Sequence, residues 1–136
     1  MQVKKGRCLC GQVSYEYTGQ ELRSGYCHCE SCRRATSSPL TSFLGVLYKN
    51  FSFTGVLPKV YESSPGTRRL FCGQCGSPMG FEADRYADKI HLFAASLEQP
   101  NNYVPTYHGH VDEKLDWVEI SDDLPQYGKS GGVKPS

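Results

Sequence analysis

Apolar and polar side chains alternate along several short stretches of the chain, which is the pattern of half-buried β-strands. In Gln12–Tyr17, Val13, Tyr15 and Tyr17 share one face and the residues between them are polar. Similar or largely apolar runs predict further strands in chain order, over Thr41–Tyr48, Phe51–Thr54, Val60–Ser63, Thr67–Phe71, Met79–Glu82, Lys89–Leu97 and Asp116–Ile120.

The remaining segments predict one helix, one tight turn and a tail. Glu30–Thr36 has the composition of a short helix, and Pro39 limits it on the C-terminal side. Pro65-Gly66 is a turn dipeptide and predicts a hairpin between the strands on either side of it. Residues 128–136 are rich in Gly, Ser and Pro, so we expect a disordered tail there. The sequence therefore predicts one mainly β domain over residues 1–127.

Charge and the length of the apolar runs exclude several function classes. The chain has 15 Lys+Arg against 14 Asp+Glu and no long basic run, so no nucleic-acid partner is expected. Its apolar stretches are only a few residues long, which is too short for a membrane span. The first residues carry positive charge but no apolar region follows them, so no secretory signal is expected. We therefore expect a cytoplasmic protein.

The 7 cysteines change this picture, because clustered thiols in a reducing compartment are typical of metal sites. Cys72-Gly73-Gln74-Cys75-Gly76 is a zinc-knuckle pattern, in which a tight turn directs two sulfurs at one metal. Cys8-Leu9-Cys10 complements it, because residues i and i+2 of a strand project to the same face. These four sulfurs predict a closed, tetrahedral structural zinc site.

Cys27, Cys29 and Cys32 form a second, different cluster that runs from an extended segment into the predicted helix. Three thiols can hold one zinc and leave its fourth position open, which is the arrangement of catalytic zinc sites. His28 is expected to point away from the cluster and not to bind the metal. The alternative is a second closed site, with a fourth ligand from His91, His108 or His110.

An open zinc with three thiolates favours thiol chemistry over hydrolysis. Strong sulfur donation makes the metal a weak activator of water, whereas a soft zinc suits a substrate thiolate. The bound thiolate could attack a small carbonyl compound. Arg33 and Arg34 are candidate anchors for the carboxylates of a thiol such as glutathione, the alternative being a solvated helix face.

A deaminase signature, H-x-E followed by P-C-x-x-C, is matched only superficially. His28-Cys29-Glu30 precedes Cys72-x-x-Cys75, but Phe71 stands where the signature has proline. That interpretation would also leave Cys8, Cys10, Cys27 and Cys32 unexplained, so it is rejected.

Three cysteine-containing segments together resemble one known family. They are Gly6–Val13, Cys27–Arg34 and Phe71–Ser77, and they resemble the glutathione-dependent formaldehyde-activating enzyme family, which also includes centromere protein V. Trp117–Tyr127 looks like the C-terminal signature of that family. The resemblance runs from about residue 3 to residue 127, and Ser37 departs from it where the family is expected to have glycine.

This resemblance implies a β-tent fold of antiparallel sheets joined at zinc. It implies a structural zinc on Cys8, Cys10, Cys72 and Cys75, and a catalytic zinc on Cys27, Cys29 and Cys32. The implied activity is a carbon–sulfur lyase that condenses glutathione with formaldehyde to S-hydroxymethylglutathione. Two zinc ions per chain are expected, the second partly occupied. The alternative is a non-catalytic two-zinc scaffold or protein-binding module.

Overall fold

The computed structural model describes residues 2–129, and its secondary structure is mainly β. Two compact units form from alternating stretches of chain, residues 2–22 with 44–103 and residues 23–43 with 104–129. The α-helix among the described residues is α1, Glu30–Thr36. The strands are β1 Lys4–Arg7, β2 Ser14–Tyr17, β3 Leu22–Cys27, β4 Thr41–Leu47, β5 Phe51–Phe53, β6 Lys59–Ser64, β7 Thr67–Phe71, β8 Pro78–Ala83, β9 Lys89–Phe93 and β10 His108–Gly109.

The first unit contains a three-stranded antiparallel sheet, β1-β2-β5, and a run of strands in the order β9-β8-β7-β6. The alternation seen in the sequence of β2 is real, because Tyr15 and Tyr17 are buried while Ser14 and Glu16 are partly exposed. The buried core of this unit consists of Cys8, Val13, Tyr15, Tyr17, Leu44, Val46, Leu70, Cys72, Met79, Ile90, Leu92, Ala94 and Leu97.

The second unit is built around β3, which pairs in parallel with β10. Tyr107, just before β10, packs so closely on β3 that a Cβ on Gly25 would lie 2.7 Å from its ring. The chain after β10 returns alongside it, since the N–H of His108 donates to the carbonyl of Pro125 at 2.9 Å. The N–H of Tyr127 in turn donates to the carbonyl of His108 at 2.8 Å.

The predicted fold class, mainly β with antiparallel sheets and one short helix, is confirmed. The helix bounds are those predicted, and the hairpin around Pro65-Gly66 forms from β6 and β7. The strand predicted over Asp116–Ile120 is wrong. The chain turns there, with the N–H of Val118 donating to the carbonyl of Leu115 at 3.1 Å, and Trp117 is exposed. The strand predicted over Lys89–Leu97 ends early, because a 3-10 turn occupies Ala94–Ser96.

The ends of the chain add two points. None of the helices among residues 2–129 is long and apolar enough to cross a membrane. Of the predicted tail, Gly128 and Lys129 are described, and their carbonyls accept hydrogen bonds from Asp112 at 3.3 Å and His110 at 2.7 Å. Residues 130–136 lie outside the described part of the chain.

Candidate metal centres

The four cysteines predicted to bind a structural zinc come together in the first unit. The Sγ atoms of Cys8, Cys10, Cys72 and Cys75 all lie within 4.8 Å of one another. Cys10 Sγ lies 3.6 Å from Cys8 Sγ and 3.8 Å from Cys72 Sγ. Four thiolates around a tetrahedral zinc, with Zn–S bonds of about 2.3 Å, are separated by about 3.8 Å. The donor set therefore fits a closed zinc site.

Backbone amides and one hydroxyl support the sulfurs of this group. The N–H groups of Gln74 and Cys75 donate to Cys72 Sγ at 3.3 and 3.4 Å, and the N–H of Val13 donates to Cys8 Sγ at 3.4 Å. Burial alone would raise the pKa of the Cys8 thiol, but the hydrogen bond from Val13 and the contacts with Cys10 and Cys72 outweigh it and the pKa is lowered. The Ser77 hydroxyl lies 3.1 Å from Cys75 Sγ and, together with backbone hydrogen bonds from Ser77 and Cys10, lowers the pKa of that thiol to about 5.

The local structure around Cys8 and Cys10 differs from the prediction. Both residues follow β1 in a turn and not in a strand, with the N–H of Gly11 donating to the carbonyl of Cys8 at 3.2 Å. Gly11 has a φ of 83°, which residues with a Cβ rarely adopt. The two thiols therefore converge because the chain turns back, and the i, i+2 rule for strands does not apply.

Cys27, Cys29 and Cys32 form the second group, and all three lie in the second unit. Their Sγ atoms lie within 4.8 Å of one another. Cys27 ends β3, Cys29 is the N-cap of α1, and Cys32 lies in the first turn of the helix. The Sγ of Cys29 accepts the N–H of Cys32 at 3.3 Å. Cys27 and Cys32 are buried, whereas Cys29 is partly exposed.

The electrostatics of this group favour a bound cation. The neighbouring Cys29 and Cys32 thiols, together with burial, raise the pKa of the Cys27 thiol. Contact with the Cys27 thiol lowers the pKa of Cys29, but the Cys32 thiol and burial outweigh it and the pKa is raised overall. Three thiolates so close together repel one another, and a divalent cation removes this repulsion. The donor set thus fits a metal that is bound with release of protons.

Neither cysteine group includes a histidine within residues 2–129. His108 has both ring nitrogens engaged, with Nδ1 2.9 Å from His28 Nε2 and Nε2 3.0 Å from Asp122 Oδ2. His110 Nδ1 faces Glu113 at 3.4 Å. Burial, followed by the influence of His108, lowers the pKa of His28 to about 4. The described residues thus bring together three donors at this site.

Arg33 and Arg34, the predicted substrate anchors, lie on α1 beside a cavity of about 400 Å³. Arg34 Nε pairs with Glu30 at 2.7 Å, and both side chains are exposed. The Nε of Arg33 is buried and has no hydrogen-bond partner in the described part of the chain. Ser37, the departure from the family pattern, caps the helix with a φ of 54°, a conformation in which glycine is unstrained. The cavity is also lined by Ser37, Ser38, Pro39, Leu115 and Trp117.

The sequence pattern did not reveal the contact between His28, His108 and Asp122. These residues are distant in sequence, and no local spacing indicates that their side chains meet. The position of His28 between two predicted ligands was the one available signal.

Comparisons with known proteins identify the family and the fold of this chain. A sequence model of the family described as glutathione-dependent formaldehyde-activating enzyme matches residues 3–113. An uncharacterized lyase of Schizosaccharomyces pombe is 34% identical over 127 residues, covering 93% of this chain and 92% of its own length. A Halomonas elongata protein is named as a candidate glutathione-dependent formaldehyde-activating enzyme. It is 25% identical to this chain, and the match covers 85% of this chain and 80% of the length of that protein. The crystal structure of a Rhodobacter sphaeroides protein has the same fold, with a TM-score of 0.58, 18% identity and coverage of 90% and 98%.

Proposed function

The chain belongs to the glutathione-dependent formaldehyde-activating enzyme family, and from this premise we propose that it is a zinc-dependent carbon–sulfur lyase. Its substrates would be a small-molecule thiol, glutathione in the first instance, and a small carbonyl compound such as formaldehyde. The family description and the word lyase in the name of the yeast relative support this proposal.

One observation carries the proposal. Cys27, Cys29 and Cys32 bring three sulfurs within 4.8 Å of one another, and no fourth Cys, His, Asp or Glu joins them within residues 2–129. Three thiolates would hold zinc with one coordination position open, whereas the four-thiol group would hold zinc with none. Zinc bound there would keep a substrate thiol ionised at neutral pH, although a free thiol has a pKa of about 8.5.

The reaction balances without a further reagent. In the forward direction the sulfur of the ionised thiol forms a bond to the carbonyl carbon, and the π electrons of the carbonyl pass to its oxygen. That oxygen takes up a proton, equivalent to the one that the thiol released, and the product is a hydroxymethyl thioether. In the lyase direction the hydroxyl loses its proton, the carbon–sulfur bond breaks, and the thiol and carbonyl compound are regenerated.

Residues of this chain would bind the rest of the thiol. We propose that Arg33 and Arg34 bind its carboxylates, because guanidinium groups form strong hydrogen bonds to carboxylates. The 400 Å³ cavity beside them has the polar Ser37 and Ser38 on its wall and the exposed ring of Trp117. This combination suits a short peptide-like molecule with charged ends and an apolar stem.

We further propose two zinc ions per chain, one in each cysteine group, in a protein of the cytoplasm. Cys27, Cys29 and Cys32 supply one ligand fewer than the other group, so we expect their zinc to be held less firmly and to be partly lost on purification.

The test combines zinc stoichiometry, X-ray absorption at the zinc edge and a rate measurement on the full chain. Adding glutathione should add one sulfur at about 2.3 Å to one of the two zinc ions. The measured number of sulfur ligands is the average over both ions. The exchange between formaldehyde and its glutathione adduct, followed by NMR, should run faster than the uncatalysed exchange. An unchanged sulfur shell together with an uncatalysed rate would overturn the proposal.

A second candidate function, a non-catalytic binding module, is favoured by one other observation. Val56, Leu57, Val60 and Tyr61 are all more than half exposed, and β6 stands at the end of its strand order. Exposed apolar side chains of this kind are common at protein-binding surfaces. The X-ray absorption and rate measurements distinguish the two functions, because a module needs neither a thiol at zinc nor turnover.

A further inference from the structure

Three polar side chains of the second unit form a continuous series of hydrogen bonds that ends at His28. Asp122 lies 3.0 Å from His108 Nε2, and His108 Nδ1 lies 2.9 Å from His28 Nε2. His28 is 0% exposed and His108 3% exposed. His28 stands between Cys27 and Cys29 in sequence, so this chain of side chains connects an exposed carboxylate to the backbone that carries two thiols.

The ionised carboxylate of Asp122 determines which group donates and which accepts in each of these hydrogen bonds. The hydrogen bond from His108 lowers the pKa of the Asp122 carboxyl, and an ionised carboxylate can only accept hydrogen bonds. His108 Nε2 therefore donates its hydrogen to Asp122, and when the ring is neutral its Nδ1 is an acceptor. His28 Nε2–H donates to that acceptor, and His28 is fixed as the tautomer with its hydrogen on Nε2.

Backbone hydrogen bonds hold the segments that carry His28 and His108. The N–H of His28 donates to the carbonyl of Gly109 at 3.0 Å, and the N–H of Tyr26 donates to the carbonyl of Tyr107 at 2.8 Å. The ring of His108 also stacks on Tyr26, with ring centroids 4.8 Å apart. On its other side the backbone of His108 is bonded to Pro125 and Tyr127. The segment after β10 is thus part of the support of the three-thiol group.

We propose that Asp122 and His108 are positioning residues for the three-thiol site and that they act on it through His28. This inference rests on the proposed function only in requiring that the site binds zinc. With its ring nitrogen and its backbone N–H both bonded, His28 holds the chain between Cys27 and Cys29 in one conformation. The two thiols are then already directed at the metal before it binds.

The size of the effect can be bounded. Groups that orient metal ligands without touching the metal typically contribute about 10- to 100-fold to metal affinity. Removing the hydrogen bond between Asp122 and His108 should therefore weaken zinc binding by about this factor at the site formed by Cys27, Cys29 and Cys32. The four-thiol group belongs to the first unit, and it serves as an internal reference in the same molecule.

The experiment uses the full chain loaded with two zinc ions and a graded chelator competition. In Asp122→Ala the three-thiol site should lose zinc at a chelator concentration about 10- to 100-fold lower than in the wild type. The chelator concentration that removes zinc from the four-thiol site should be unchanged. Asp122→Asn, whose amide oxygen can still accept a hydrogen bond, should restore most of the affinity. Asp123→Ala, which removes the adjacent exposed carboxylate, is the matched control. Equal weakening of both zinc sites, or of neither, would overturn the inference.

A spectroscopic signature separates positioning from a loss of stability. In the wild type, ¹⁵N NMR of the imidazoles should show His28 with hydrogen on Nε2 and none on Nδ1, and Asp122→Ala should give a mixture of tautomers. A wild-type His28 with hydrogen on Nδ1 would overturn the inference. These readouts do not depend on turnover, so an inactive protein with the expected zinc difference would contradict only the proposed reaction.

Discussion

The thiol of Cys29 accepts the backbone N–H of Cys32 at 3.3 Å, so one side chain both caps helix α1 and belongs to the three-thiol group. The cap fixes the first turn of the helix, and the first turn places Cys32 next to Cys29. Local structure and metal site are therefore specified by the same two residues. Glu113 contributes as well, because its carboxylate accepts the N–H of Glu30 at 3.0 Å.

Replacing Cys29 by serine separates the cap from the metal site. Serine is a good N-cap, so helix α1 should remain, whereas a hydroxyl is a poor ligand where a thiolate is needed. We expect zinc content to fall from two ions per chain to one and catalysis to be lost, with the thermal midpoint changed by only a few degrees. Metal analysis, circular dichroism and the NMR exchange rate measure these. Ser31→Ala is the control, and full activity in a one-zinc Cys29→Ser protein would contradict the proposed role.

Replacing Cys72 by serine should destabilise the fold, whereas Cys29→Ser should leave the fold largely intact. Cys72 is buried in the core of the first unit and accepts two backbone N–H groups at its sulfur. A structural zinc contributes about 10–16 kcal/mol of apparent binding free energy, which is comparable to the whole stability of a domain, about 5–15 kcal/mol. We expect Cys72→Ser to be largely unfolded by circular dichroism. A folded variant that retains two zinc ions would show that this group is not the structural site.

The sequence predicted the parts of the fold and site that are local. The bounds of α1 and the hairpin at Pro65-Gly66 depend on neighbouring residues, and both were predicted correctly. Strand β3 was missed because Ser24-Gly25 resembles a turn. Gly25 is needed instead for the close approach of Tyr107, a residue more than eighty positions away.

The contacts of His28 with other segments were not predicted either, because they join residues that are distant in sequence. The contact between His28 and His108 joins residues 80 positions apart, and Asp122 adds a third segment. Spacing rules describe what one stretch of chain can do by itself, as in Cys27–Cys32. They carry no information about which distant side chain completes a hydrogen bond.

Arg33→Ala should raise the KM for glutathione by about 10- to 100-fold and leave kcat nearly unchanged. A hydrogen bond to a charged group contributes about 1.5–3 kcal/mol, and loss of ground-state binding alone appears in KM. Arg34→Ala should have a smaller effect, because Arg34 is exposed and already paired with Glu30. A small thiol without carboxylates is the control substrate, and its KM should not change. An equal rise for both thiols would mean that Arg33 does not bind a carboxylate.

Two glycines of the first unit both have a positive φ, and only one of them also has a packing requirement. The φ of Gly80 is +159°, and a Cβ there would lie 2.0 Å from the carbonyl oxygen of His91, so Gly80→Ala must displace β9 and should cost about 3 kcal/mol or more. A Cβ on Gly76 would meet nothing within 4 Å, but its φ is +80°. Gly76→Ala should therefore cost only about 1–2 kcal/mol. Urea unfolding of the zinc-loaded variants measures both, and equal costs would contradict the packing argument.

Tyr15→Phe tests a pH dependence that arises in the core of the first unit. Burial raises the pKa of Tyr15 to about 12, against about 10 for an exposed phenol, even though the hydroxyl lies 2.6 Å from Ser96 Oγ. The folded protein therefore keeps this proton at a pH where the unfolded chain has lost it. The stability contributed by the neutral phenol is complete below about pH 10 and is lost as the pH rises through about 12.

Over those two pH units this single group accounts for about 2–3 kcal/mol of lost stability. Tyr15→Phe retains the buried ring and removes the ionising hydroxyl, so its stability should decline less steeply between pH 10 and pH 12. Near pH 7 it should be less stable than the wild type by about 1 kcal/mol, because Ser96 loses a hydrogen-bond partner. Urea midpoints of the zinc-loaded proteins across this range measure both effects. Tyr61→Phe, which changes an exposed ring, controls for the removal of a tyrosine. Identical alkaline slopes for Tyr15→Phe and the wild type would show that Tyr15 ionises alike in the folded and unfolded chains.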